Sequence, residues 1–368
     1  MATKDTRKSE ESVNLEETIK VSERKIVSQE KEVGEPPAQP RGPIGLDIGT
    51  SHIVMAQSEG KKILTTKQLN AFFTIPFSKF TKSILQKNDI SFFQKDNLFY
   101  ILGYSADNFA NMFNTQTRRT MKDGVVCATE QEGATVLKSI IDTLIGPAHK
   151  KGETICFSIP GEPYRGVNST IYHDSIIKMF LSDLDYKPMS INEGMAVVMS
   201  ELVLDNFTGL GISIGGGMCN VCLAFLSVPV ITYSLQKAGD YVDTMVGLSI
   251  GESATKVKVF KEEELDLLKP PKGRMETSLH IYYDDLVQNL VHSLEEVLHA
   301  SDKIPQAAQA VPIVLSGGTV MPNGFLELFT RKLEEVSLPI EISEVRMAKN
   351  PLNTTAKGAM LMAMSEVI

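Results

Sequence analysis

Residues 44–56 read IGLDIGTSHIVMA, and residues 210–226 read LGISIGGGMCNVCLAFL. Each is an apolar run, a glycine turn and a second apolar run, the pattern of a strand, a tight turn and a returning strand. Each also opens a half of the chain. After the first, strand candidates follow at 62–66, 98–102 and 154–160 (TICFSIP), with irregular polar stretches between the earlier ones. Val136, Ile140, Ile141 and Leu144 give helical spacing over 130–145, a second helix covers about 165–182, a short strand lies near 189–191, and a helix runs through Ala196, Val197 and Leu202. After the second come a charged helical stretch at 251–268, a loop with a short strand at 269–283, and a long helix at about 284–301. A strand then runs into a third glycine turn (VPIVLSGGTVMP, 311–322), followed by a helix at 323–336, a strand at 339–345 and an Ala/Met-rich helix at about 354–367. The repetition predicts a duplicated α/β fold, two lobes with a cleft between them. A length of 368 residues suits two lobes better than one core.

A glycine turn between strands lets several backbone N–H groups converge on one small volume, and such donor sets hold anions. Glycine permits the dihedrals and the close approach. Two such turns, each opening a half of the chain, point to a phosphate tail gripped between lobes. The third turn, Ser316-Gly317-Gly318-Thr319, offers bare backbone to a flat ring or a sugar. Asp47 ends the first strand. A carboxylate beside phosphates implies a divalent cation between them, because bare like charges repel; the plainer alternative is that Asp47 caps its own turn. Thr50, Ser51 and His52 add donors and hydroxyls.

Composition excludes several functions. Asp and Glu number 45 against 37 Lys and Arg, a net charge of −8, the wrong sign for a general nucleic-acid binder. No apolar run approaches the ~18 residues of a membrane span, and the polar N-terminus does not read as a secretory signal. The expectation is a cytoplasmic protein, with the inner face of the membrane left open. Residues 1–41 carry dense mixed charge and no aromatic residue, so they are expected to stay an unfolded tail. Cys219 and Cys222 form a CxxC, but on a strand residues three apart face opposite sides, so they read as core residues rather than metal ligands.

These residues together resemble the actin, Hsp70 and sugar-kinase ATPase superfamily, and within it bacterial actins of the MreB and magnetosome-filament (MamK) types. Gly45 to His52 is similar to the first phosphate hairpin, and Gly215-Gly216-Gly217 stands where the second belongs. Met121-Lys122-Asp123-Gly124-Val125, Ile191-Asn192-Glu193-Gly194-Met195-Ala196, Ala238-Gly239-Asp240-Tyr241-Val242-Asp243, Ile250-Gly251-Glu252, Leu315-Ser316-Gly317-Gly318-Thr319 and Asn350-Pro351-Leu352 resemble further motifs in order. The likeness covers about residues 44–366. It implies an actin-like ATPase fold, with lobe I at 42–208 and 345–368 and lobe II at 209–344, binding ATP and Mg2+. On matching positions, Asp47 would organise the cation through water and Glu193 would orient the attacking water. Gly49, Thr50, Ser51, His52, Gly215, Gly216, Gly217 and Met218 would hold phosphates. Gly239, Asp240, Gly317, Gly318, Thr319 and Val320 would meet the rest of the nucleotide, with Lys256 or a neighbour flanking ribose or base.

The second hairpin departs from that pattern. Ser213 replaces the leading Asp, Met218 replaces a Thr, and Gly194 replaces the Pro that follows the glutamate. A hydroxyl brings no negative charge, so hydrolysis is expected to be weak while binding survives. The resemblance implies a filament built head to tail from copies of the chain, with cytoskeletal or membrane-associated adaptors as further partners. The alternative is a non-polymerising nucleotide-binding scaffold. A sugar or acetate kinase would need a substrate-base Asp motif that the sequence does not offer.

Overall fold

The computed structural model describes residues 41–366 apart from 60–61, 114, 128–129, 131, 166–169 and 306–308. The expected N-terminal tail therefore lies outside the described residues, apart from Arg41. In chain order the first half comprises β1 (Ile44–Ile48), β2 (His52–Glu59), β3 (Lys62–Leu69), β4 (Ala71–Pro76), α1 (Lys79–Lys87), β5 (Phe92–Lys95), β6 (Leu98–Leu102), α2 (Gly103–Met112), β7 (Arg118–Arg119), β8 (Met121–Lys122), β9 (Val125–Val126), α3 (Gly133–Ile145), β10 (Thr154–Ile159), α4 (Ile171–Asp183), β11 (Lys187–Asn192) and α5 (Glu193–Glu201). The second comprises β12 (Gly209–Ile214), β13 (Cys219–Phe225), β14 (Val228–Leu235), α6 (Gly239–Ile250), α7 (Ala254–Glu263), α8 (Gly273–Ala300), β15 (Val311–Ser316), a 3-10 turn (Gly318–Val320), α9 (Phe325–Leu333), β16 (Ile342–Met347) and α10 (Thr354–Ser365).

The two large sheets have one plan. The first is ordered β11-β10-β1-β2-β3 and the second β16-β15-β12-β13-β14. In each, three antiparallel strands form a meander, and two parallel strands extend it beside the first strand. The duplication read from the sequence is thus present strand for strand. β12 and β15 are buried along their whole length, as strands covered on both faces by helices must be. A smaller sheet, β5-β6-β4-β7, is inserted into the first half.

The last helix of each half packs on the other half's sheet. α5 lies against β12 and β13, α10 lies against β1 and β10, and the two helices pack on each other. Glycines set this approach. A Cβ on Gly358 would stand 1.8 Å from the carbonyl oxygen of Ala196, and one on Gly45 would stand 2.0 Å from that of Ala356. The lobes are therefore joined through two helices in backbone contact, and both strand–turn–strand units open toward the cleft.

Some expectations change. The long helix begins at Gly273, not near 284, and no strand precedes it among the described residues. Pro270 and Pro271 break the chain, after which Leu279, Tyr283, Leu286, Val287 and Leu290 continue one buried face. The charged stretch expected to be helical from 251 to 268 holds only α7, which starts after the Ser253 cap and stops at Glu263. α1, α2, α6 and β14 were not legible as elements. Phe72 on β4 is buried, whereas Phe80 on α1 is 75% exposed. β16 pairs with β15 through Met347, so the return of the chain to the first lobe, expected at 345, falls after that strand. β13 carries Cys219 and Cys222 in separate apolar clusters on its two faces, as the strand period requires. Burial pushes both thiols up, Cys222 to about 12.

Candidate functional site

The two glycine turns close identically. Gly49 N–H donates to the His52 carbonyl (2.9 Å), and Gly215 N–H donates to the Met218 carbonyl (3.0 Å). They meet across the cleft. A Cβ on Gly217 would lie 2.3 Å from Thr50 Oγ1 and 2.5 Å from Gly124 N, and one on Gly216 would lie 2.7 Å from Ser51 Oγ. Any side chain at either glycine would fill the space between the turns, which is the condition for a backbone anion cradle.

The aim of the second turn follows from peptide planarity. The Gly215 carbonyl accepts from Gly239 N–H (3.1 Å) and Thr319 Oγ1 (2.6 Å), and the Gly216 carbonyl accepts from Asp240 N–H (2.8 Å). In a trans peptide the N–H points opposite to its C=O. With these carbonyls drawn toward the start of α6, the N–H groups of Gly216 and Gly217 point the other way, into the cleft. The first turn is held from outside: Asn70 Nδ2 donates to the Gly49 carbonyl (2.9 Å), and Arg119 Nη1 donates to the Thr50 carbonyl (3.1 Å) and Ser51 Oγ (3.0 Å). Gly317 has φ 99°, and its Cβ would lie 2.2 Å from the Ile214 carbonyl oxygen, so the third turn lies flush on β12.

Two carboxyls face this space. Asp47 accepts from Ser158 Oγ (2.8 Å), which itself accepts from Ile48 N–H (3.1 Å). Glu193 opens α5 behind the Asn192 cap and accepts from Ser213 Oγ (3.2 Å). Burial raises both pKa values, and the Asp47 charge raises that of Glu193 further. Two enclosed carboxyls that hold each other's charge in check form a donor set that suits a divalent cation, which would relieve both. On the other side, Lys261 is buried and ion-paired with Asp243 at 2.7 Å, and it also donates to the Gly239 carbonyl (3.3 Å). Lys258 is one turn away. Burial and the charge of Arg119 push its pKa down. His52 is pushed down to about 3 by burial and by Lys258, Lys67 and Arg119, so it is neutral at pH 7 and meets an anion only as a hydrogen-bonding ring.

The cleft brings together Asp47, Gly49, Thr50, Ser51, His52, Glu193, Gly215, Gly216, Gly217, Met218, Gly239, Asp240, Gly317, Gly318 and Thr319. The central cavity is about 150 Å³ and shares walls with hollows of about 770 and 400 Å³. Two expected residues are elsewhere. Val320 is buried in the core of the second lobe. Lys256 is exposed and pairs with Glu252 at 2.8 Å. Lys258 and Lys261 line the cavity instead. The helical period was the missed signal: Val257 and Lys261, four apart, face inward, Lys258 lies beside them, and Lys256 does not. Ser158, Asp243 and Gly124 were also missed as site residues. Asp243 lay inside a quoted motif, whereas Ser158 reaches Asp47 only through sheet pairing.

Comparison with known proteins places this geometry. The Volactin family model matches residues 43–363. The actin-like protein MamK of Magnetospirillum gryphiswaldense is 22% identical over 356 residues, covering 90% of this chain and 91% of its own. A MamK double helical filament superposes with a TM-score of 0.68 at 18% identity, over 88% of this chain and 99% of that one. MreB 5 of Spiroplasma citri bound to AMPPNP gives 0.64 at 13% identity, over 89% and 97%. The fold is that of actin-like proteins.

Proposed function

The chain belongs to the Volactin family, and from that premise we propose that it is an ATP-binding, actin-like cytoskeletal protein that assembles into filaments and hydrolyses ATP slowly. One observation carries the reading: two glycine turns, one from each lobe, aim at a single cleft flanked by Asp47 and Glu193, with Ser213 where a third acid would stand. The similar MreB 5 binds AMPPNP, and the similar MamK forms a double helical filament.

The backbone cradle of Gly49–Ser51 and Gly216–Met218 receives the phosphates. Lys258 and Lys261 stand beside the start of α6, and the Gly317–Thr319 turn offers backbone to the nucleoside. Asp47 is the residue that would hold a divalent cation through water, and such a cation supplies positive charge to the phosphates. Glu193, hydrogen-bonded by Ser213, orients a water toward the terminal phosphate. Phosphoryl transfer depends on positioning and electrostatics. Losing one preorganised group costs about 3 kcal/mol, on the order of 10²-fold in rate. Ser213 supplies a hydroxyl without charge, which is the ground for slow turnover.

The test combines nucleotide titration, sedimentation with and without ATP, and phosphate release for the native protein and Ser213→Asp. Binding, ATP-dependent pelleting, slow release and a faster Ser213→Asp are expected. Phosphate release at the rate of a brisk filament ATPase would refute slow hydrolysis. Binding without any assembly would favour a non-polymerising scaffold.

A further inference from the structure

The hollow of about 400 Å³ beside the central cavity has a wall from each lobe. Leu69, Tyr104, Asp107 and Arg119 stand on the first-lobe side, and Asp240 and the face of α7 from Ala254 to Glu262 stand on the other. His52, Asp240 and Lys258 line both spaces, so the hollow leads from the phosphate cradle out between the lobes. Its walls carry opposite charges. At the inner end Arg119 Nη1 donates to Ser51 Oγ (3.0 Å), and a Cβ on Gly216 would lie 2.7 Å from that oxygen and 3.2 Å from Asp240 Oδ1. Arg119 and Asp240 thus flank the point where the two turns meet, one from each lobe.

At the outer end the facing pair is Asp107 and Lys258. Burial and then the Lys258 charge hold the His52 pKa down, and the His52 ring lies 6.2 Å from the ring of Tyr104. Asp107 follows Tyr104 by three residues on α2, hence on the same helix face. Lys258 Nζ stands 3.8 Å from Glu262, a loose contact, and burial and the Arg119 charge disfavour its charged form. Asp107 is half-buried, and among the described residues its carboxylate accepts one hydrogen bond, from Asn111 Nδ2 at 3.3 Å. An acid brought against Lys258 would favour the charge that burial opposes. The start of α7 adds to the pull: Ala254 and Thr255 line the hollow, and the first N–H groups of a helix carry partial positive charge and have no partner within it. Val259, 48% exposed on the α7 wall, has the buried Leu69 on the wall opposite.

We propose that Asp107 is a latch for the bound nucleotide: as the lobes draw together, its carboxylate docks on Lys258 and the first turn of α7 and shuts the way out between the lobes. The proposal rests on the ATP-binding reading. A triphosphate held by N–H groups of both glycine turns pulls the lobes toward each other, and the narrowing gap brings the two charged walls into contact. Asp107 is a positioning residue, because it acts on the opposite lobe and not on the nucleotide. Its charge makes the proposal sharp. An acid near bound phosphates repels them, so by charge alone its removal would slow nucleotide release. A latch predicts the reverse.

The experiment uses the full chain loaded with a fluorescent ATP analogue and follows its displacement by excess ATP in a stopped-flow instrument. Native protein, Asp107→Asn, Asp107→Glu, Lys258→Gln and the Asp107→Asn/Lys258→Gln double variant are compared. Asp107→Asn should speed release about fivefold, the size of one partly exposed ion pair, with little change in association. Asp107→Glu should recover part of the native rate. Added to Lys258→Gln, Asp107→Asn should have little further effect, because the pair is already broken. The Tm of Asp107→Asn should match the native value without nucleotide and fall below it with saturating ATP, a split that a merely structural role would not give. Release from Asp107→Asn that is unchanged or slower, or effects of the two substitutions that simply multiply, would overturn the latch while leaving the ATP-binding reading intact. A native protein that binds no nucleotide would overturn both.

Discussion

Replacing Gly358 by Ala tests the joint between the lobes. The new Cβ would stand 1.8 Å from the Ala196 carbonyl oxygen, 2.5 Å from its carbon and 2.8 Å from its Cα. Ordinary contact needs roughly 3.4 Å, so the helices must part by roughly 1.6 Å. The obstacle is backbone, so no rotamer change relieves it. α10 cannot retreat, because its other side lies on β1, where Gly45 already leaves no room for a methyl group against Ala356. Overpacking of this kind costs about 1–3 kcal/mol, and more where backbone must move. Alanine's helix propensity returns about 1 kcal/mol. The net expectation is a loss of about 2 kcal/mol, read as a midpoint shift in urea and a fall in Tm of a few °C. Because α5 starts at Glu193, the same shift should weaken nucleotide binding. A Gly358→Ala protein with an unchanged or higher Tm and native affinity would show that the helices do not cross in backbone contact, and the account of the joint would fall with it.

Two further outcomes are expected. Lys258→Ala should lower nucleotide affinity about tenfold in a fluorescence titration, whereas Lys256→Ala should leave it unchanged; equal effects would contradict the register of α7. His173 is buried, accepts from Val126 N–H (3.3 Å), and is held down to about 4 by burial. Its contribution is fully present above the ordinary histidine pKa of about 6.5 and is lost as pH falls toward 4, up to about 3 kcal/mol. His173→Gln should flatten that acid slope in urea denaturation measured between pH 7 and 4.5; an unaltered slope would assign it to other groups.

The sequence alone carried the duplicated plan, because a strand must alternate or run apolar and a turn this tight needs glycine. Residues 44–56 and 210–226 fixed the site's two turns, and the departure at Ser213 was visible without coordinates. Local pattern did not reach α1, α2 and β14, or the true start of α8, where two prolines and a glycine mask a buried face that begins only at Leu279. Tertiary structure alone decided what faces the cleft. Lys256 and Lys258 differ by two residues and about 200° around a helix, so only the packing of α7 puts Lys258 at the site and leaves Lys256 to Glu252. The Ser158 bond to Asp47 and the mutual charge of Asp47 and Glu193 likewise join residues more than a hundred positions apart. No periodicity records them, because they exist only when two sheets and two crossing helices bring the strand ends to one cleft.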